Sequence, residues 1–82
     1  MMTFPCRFPI KVIFLQKEGA EEEIMRVVLR HYPELPPDAI RTTKSKNSHY
    51  LSITATVLAK DQDSLDTLYS ALSKLPVVQM VL

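Results

Sequence analysis

"HYLSITATVLA", His49 to Ala59, decides the fold. Leu51, Ile53, Ala55 and Val57 alternate with Ser52, Thr54 and Thr56. Alternation at period two marks a strand with one buried face, and the hydroxyls place its other face outside the core. Upstream, "AIRTTKSK" (Ala39 to Lys46) is a more polar strand, joined to the first by a turn at Asn47 and Ser48. Its lysines suit a sheet edge, where charge discourages unwanted pairing. Downstream, "KDQD" offers Asp61 or Asp63 as a helix N-cap. Leu65, Leu68, Tyr69, Leu72 and Leu75 then form an apolar stripe at helical spacing. Pro76 ends that helix, and "VVQMVL" is a short apolar strand.

The first half of the chain has the same plan. "FPIKVIFLQ", Phe8 to Gln16, is rich in β-branched and aromatic residues on both parities, as a central strand requires. Gly19, the only glycine, breaks the run. After it Ile24, Val27, Val28 and His31 recur at helical spacing, flanked by Met25, Leu29 and Tyr32. Glu21, Glu22 and Glu23 open this helix and Arg30 and His31 close it, complementing its dipole. Pro33 stops it, and "PELPPD" is a stiff polar connection.

The order β-α-β-β-α-β predicts an α+β, ferredoxin-like sandwich: a four-stranded antiparallel sheet with two helices on one face. A single domain spans 1–82, with residues 1–7 as a flexible N-terminal extension. Lys11, Ile13, Leu15, Tyr50, Ser52, Thr54, Thr56 and Leu58 then face outward, with Val77, Gln79 and Val81. Among them Ile13, Leu15, Leu58, Val77 and Val81 form an apolar corner, a feature that often marks contacts between chains.

Composition narrows the function. With 82 residues, 10 basic and 9 acidic side chains and a net charge of +1, the chain has no global field favouring nucleic acid or membrane. Cys6 has no internal disulfide partner, which fits a reducing, cytoplasmic setting. The N-terminus reads as neither a signal peptide nor a membrane span, because Lys11 interrupts its apolar run.

One glycine is too few for a nucleophile elbow or a phosphate-cradling loop. Cys6, His31 and His49 lack metal-ligand spacing, and Asp61, Asp63 and Asp66 lack the glycine and terminal glutamate of a calcium loop. The acidic "QKEGAEEE" after the first strand would repel the phosphate of an acyl-phosphate substrate. No catalytic residue and no cofactor is expected. The window from Ala39 to Lys60 contains no acid but carries Arg41, Lys44, Lys46 and His49. RNA readers of this fold stack bases on outward aromatics, and Tyr50 alone is available here, so only weak, sequence-independent phosphate binding would follow.

Ser45-Lys46, Tyr50 and Ser52-Ile53-Thr54, then Leu68-Tyr69, Leu72, Lys74, Val78 and Met80-Val81-Leu82, resemble the YbeD family of small bacterial proteins of unknown function. "FPIKV" and "RHYP" fit the same pattern. The resemblance implies a fold close to the ACT domains, which bind small effectors and regulate partner enzymes. It also implies that Gly19, in the turn after the first strand, occupies the place of the ACT effector loop. Gly19, Arg41, Lys44, Lys46, His49 and Tyr50 are therefore the candidate contact residues. The expected partners are another protein, a second copy in a homodimer, or a small effector, with nucleic acid the lesser alternative and no membrane.

Overall fold

A computed structural model of the chain describes residues 5–44 and 49–82. Strand β1 spans Cys6–Leu15, helix α1 Ala20–His31, strand β2 Ile40–Lys44, strand β3 Tyr50–Ala59, helix α2 Gln62–Ser73 and strand β4 Val78–Val81. A 3-10 turn, Pro37–Ala39, leads into β2. The strand order is β2-β3-β1-β4, with every neighbouring pair antiparallel. The expected ferredoxin-like sandwich is therefore the fold, with the two most apolar strands in its centre.

Alternation along β1 and β3 builds the core. Ile10, Val12, Phe14, Ile53, Ala55, Val57 and Ala59 are buried against Ala20, Ile24 and Val28 of α1 and Leu65, Leu68 and Leu72 of α2. The buried core contains no polar or charged residue among the described ones, so burial of apolar surface holds the two layers together. Asp61 caps α2, its carboxylate accepting hydrogen bonds from Ser64 N–H at 2.8 Å and Ser64 Oγ at 2.9 Å. Both bonds hold the Asp61 carboxyl below the usual carboxylate range. His31 ends α1 with its ring Nδ1 donating to Val27 O at 3.0 Å, which satisfies a carbonyl of the last turn.

Two boundaries differ from the expectation, and the register of β4 is a third difference. β1 starts at Cys6 rather than Phe8, because Cys6 and Arg7 pair with Ala59 and Leu58 at the far end of β3; the extension expected over residues 1–7 thus includes two strand residues. Helix α2 stops at Ser73, ahead of Pro76, and the chain turns through Leu75 N–H to Leu72 O and Val78 N–H to Leu75 O. The turn expected at Asn47 and Ser48 lies outside the described residues.

The third difference changes the uncovered face. Ile13 pairs with Met80 and Phe14 with Val78, leaving Gln79 as the extra residue of a β-bulge. A one-residue slip inverts every side chain beyond it. Val81 consequently pairs with buried Val12 and packs on the core, while Met80 takes the outward place beside Ile13 and is 49% exposed. Val77 also packs on the core, and Leu58 pairs with Arg7 at the opposite end of β1 from Leu15. The expected apolar corner does not exist as one patch. Ile13, Leu15 and Met80 lie towards one end of the sheet and Leu58 towards the other.

Candidate functional site

The candidate residues come from the β1–α1 turn and from the hairpin of β2 and β3. Leu15, Lys44 and Tyr50 end or begin their strands at one end of the sheet, which brings the β1–α1 turn alongside the β2–β3 connection. Gln16 N–H donates to His49 O at 2.7 Å and ties the two together. Gly19, Lys44, His49 and Tyr50 thus share one end of the molecule. Lys46 lies outside the described residues.

Gly19 is the N-cap of α1 with φ 82, a left-handed conformation that other residues adopt at a cost. Its carbonyl accepts from Glu23 N–H at 3.0 Å. A Cβ there would meet only Glu22 Oε2, at 3.8 Å, so the requirement for glycine is conformational rather than steric.

Arg41 and Lys44 stand on opposite faces of β2. Arg41 pairs with Thr54 and projects onto the uncovered face, whereas Lys44 pairs with Leu51 and takes the parity of the helix side. Tyr50 pairs with Leu15 on the uncovered face. The basic hairpin is thereby divided between the two surfaces of the sheet.

The uncovered face nevertheless has one sign of charge. Arg7, Lys11 and Arg41 project from it among Ser52, Thr54 and Thr56. All nine acidic residues of the chain lie in loops, caps or helices, and none is in a strand. Positive charge over an acid-free sheet is the chief electrostatic feature of the fold, and the net charge of +1 conceals it.

At the end of the sheet away from Gly19 an open groove of about 860 Å³ separates the edge of β3 from the loop that follows α1. Arg7, Leu58 and Lys60 line its sheet side, and Tyr32, Leu35 and Asp38 its loop side. The Tyr32 hydroxyl is buried and hydrogen-bonds no other described atom. Burial pushes its pKa up; the nearby Ser64 hydroxyl pulls it down, and the Asp61 carboxylate adds to the rise. This groove was not anticipated from sequence. Its signal was present in "PELPPD", whose prolines lack the N–H groups that would extend β2 along β3.

No group of three or more His, Cys, Asp or Glu among the described residues is gathered to hold a metal ion. No helix among them is long and apolar enough to cross a membrane.

Comparison with known proteins bears on this arrangement. Residues 1–82 match the family described as "Protein of unknown function (DUF493)". The chain belongs to that family. It is 40% identical over 82 residues to a UPF0250 protein of Leptothrix cholodnii, covering all of this chain and 90% of the relative. It is 33% identical to one of Nitrosomonas europaea, covering 94% of that protein. These DUF493 relatives bear out the resemblance to small bacterial proteins of unknown function.

Among solved structures, Protein HP0495 from H. pylori superposes with a TM-score of 0.74 at 16% identity, covering 100% of this chain and 86% of that one. The ACT domain from GTP pyrophosphokinase of Chlorobium tepidum gives 0.73 at 22% identity, covering 93% and 84%. At such identities the likeness establishes a shared fold.

Proposed function

We propose that this DUF493 chain is a non-enzymatic regulatory or adaptor domain, working in the cytoplasm through a protein partner or a small effector. The observation that carries this reading is the sheet face left uncovered by the helices. Its charged side chains are all positive, Ser52, Thr54 and Thr56 are half-buried, and every Asp and Glu lies outside the strands. Such a surface suits recognition by charge complementarity. The ACT domain of a GTP pyrophosphokinase supports the reading by fold analogy, which is a weaker warrant than the surface itself.

Homodimerisation belongs to the same reading, with the uncovered face or a sheet edge as the contact. Affinity capture from a bacterial extract, light scattering, and a thermal-shift screen against amino acids, nucleotides and short-chain carboxylic acids test it together. The reading expects a partner, a dimer or a stabilising ligand. A chain that stays monomeric, captures nothing and is stabilised by no ligand would falsify it.

The nucleic-acid alternative needs Arg41, Lys44 and Lys46 to act as one cluster. With Arg41 and Lys44 on opposite faces of β2, that alternative loses its main support.

A further inference from the structure

We propose that the outer edge of β3, from Thr56 to Ala59, accepts an extended acidic segment of a partner protein as an added strand. The inference rests on the reading of this chain as a binding domain and names the surface and the class of partner.

The main chain sets the site. Lys11 N–H donates to Leu82 O at 3.1 Å and Leu82 N–H to Lys11 O at 2.8 Å, so the peptide groups of Lys11 point towards β4. In antiparallel sheets that direction alternates residue by residue. The odd-numbered residues of β1 therefore turn to β4 and the even-numbered ones to β3. Their β3 partners at the narrow pairs are Leu51, Ile53, Ala55, Val57 and Ala59. Leu58, between two of these, directs both its N–H and its C=O away from β1.

On that side β2 has already ended. Its ladder begins at Ile40 opposite Ala55, and Pro36 and Pro37 lead the chain away through a turn closed by Ala39 N–H to Pro36 O at 3.0 Å. No described residue hydrogen-bonds the main chain of Leu58 on its open side. Beside this edge runs the groove of about 860 Å³, rather than another strand. An unpaired donor and acceptor facing an open groove are what strand addition uses.

Side-chain chemistry then selects the occupant. In an added strand, residues at the level of Leu58 would project onto the uncovered face, beside Arg7, Lys60 and, further along, Arg41. Carboxylates at those positions meet cations and no fixed acid. The intervening residues would project to the other side, towards Leu35 and Tyr32, with Glu34 and Asp38 also lining the groove. Apolar residues fit there and carboxylates do not. The site thus reads an alternation of acidic and apolar residues, and a merely negative chain would satisfy it poorly.

Titration of the full-length, isotope-labelled protein by NMR tests this. The probe is an end-blocked hexapeptide of alternating Glu and Val, with a Lys and Val counterpart and an oligouridylate as comparisons. The Glu and Val peptide is expected to shift the Leu58 amide, slow its hydrogen exchange, and bind more weakly as salt rises. Leu58→Pro removes the free donor without touching the ladder to β1, and Arg7→Glu reverses the adjacent charge; each should weaken binding roughly tenfold. If Leu58→Pro fails to fold, Arg7→Glu and the Leu58 exchange rate decide.

An unmoved Leu58 amide overturns the proposal, as does equal binding of the Lys and Val peptide. Tighter binding of oligouridylate at the same amides, or protection of Leu58 by self-association without peptide, also overturns it. A partner captured equally by the wild type and Leu58→Pro would refute this edge while leaving the binding-domain reading intact.

Discussion

The two faces of one sheet are built from the same strands and obey different rules. Residues facing the helices, such as Ile10, Val12, Phe14, Ile53 and Val57, are at most 1% exposed. Their outward neighbours Lys11, Ser52, Thr54 and Thr56 are half-buried or exposed, and carry charge and hydroxyls. The inner face is constrained by packing, where each missing methylene is felt. The outer face is free of that constraint. Its positive charges, with no acid in any strand, contribute little to folding, and in the proposed reading they select the partner.

The largest test of this contrast is in the core. Leu68 is fully buried between α2 and the sheet, and Leu68→Ala should cost about 2–5 kcal/mol through lost burial and a residual cavity. Thr54→Val, on the uncovered face, should change stability by less than about 0.5 kcal/mol. Urea unfolding of both variants measures the difference. A large effect at Thr54 would mean that something covers the outer face in solution, and the contrast between the faces would fail.

Gly19 sharpens the comparison at the end of the molecule where a structural role and a proposed contact role coincide. Gly19→Ala must place an alanine at φ 82, at a cost of roughly 1–2 kcal/mol, while its Cβ meets no closer atom than 3.8 Å. Gly19→Asn should cost less, because asparagine tolerates the left-handed region. Thermal unfolding of the two variants gives the order. Equal stability of wild type and Gly19→Ala would show that the turn relaxes, and would shift attention to a ligand role for this glycine.

How far the faces could be foreseen depended on pattern length. Clean alternation from Leu51 to Val57 in β3 pointed to its inward set, and the helical spacing of Leu65, Leu68 and Leu72 pointed to the layer above it. β4 was too short for that. Its four residues are nearly all apolar, so nothing in them signals the bulge at Gln79 that turns Val81 inward and Met80 outward. The candidate residues could be named one by one, but their arrangement could not be foreseen. Arg41 and Lys44 are close in sequence, yet strand pleat sends them to opposite faces. The groove beside Leu58 depends on where β2 stops relative to β3, a register that only the paired sheet reveals.

A smaller effect concerns the hold of the helix layer at low pH. Asp61 accepts two hydrogen bonds from Ser64, and its folded pKa lies below the ordinary value of 3.8. The capping contribution is therefore complete above the unfolded-state pKa and is lost as pH falls through the depressed folded value. Asp61→Asn keeps a cap that does not titrate, so its unfolding midpoint should vary less than that of the wild type across the acid range. Parallel acid dependence in both proteins would assign the acid sensitivity to other carboxylates.

The smallest expected effect on stability divides the two faces most directly. Arg41→Glu and Lys44→Glu change the same charge by the same amount on opposite faces of one exposed strand, and neither should move stability by more than about 0.5 kcal/mol. Their consequences for binding should differ. Arg41 shares the uncovered face with Arg7 and Lys11, so reversing it should weaken an acidic partner and reduce the salt dependence of association. Lys44 projects to the other side, and Lys44→Glu should leave the same affinity nearly unchanged. Calorimetric titration at two ionic strengths separates these outcomes. Equal losses in both variants would mean that the partner senses the summed charge of the hairpin and not the face on which each cation stands.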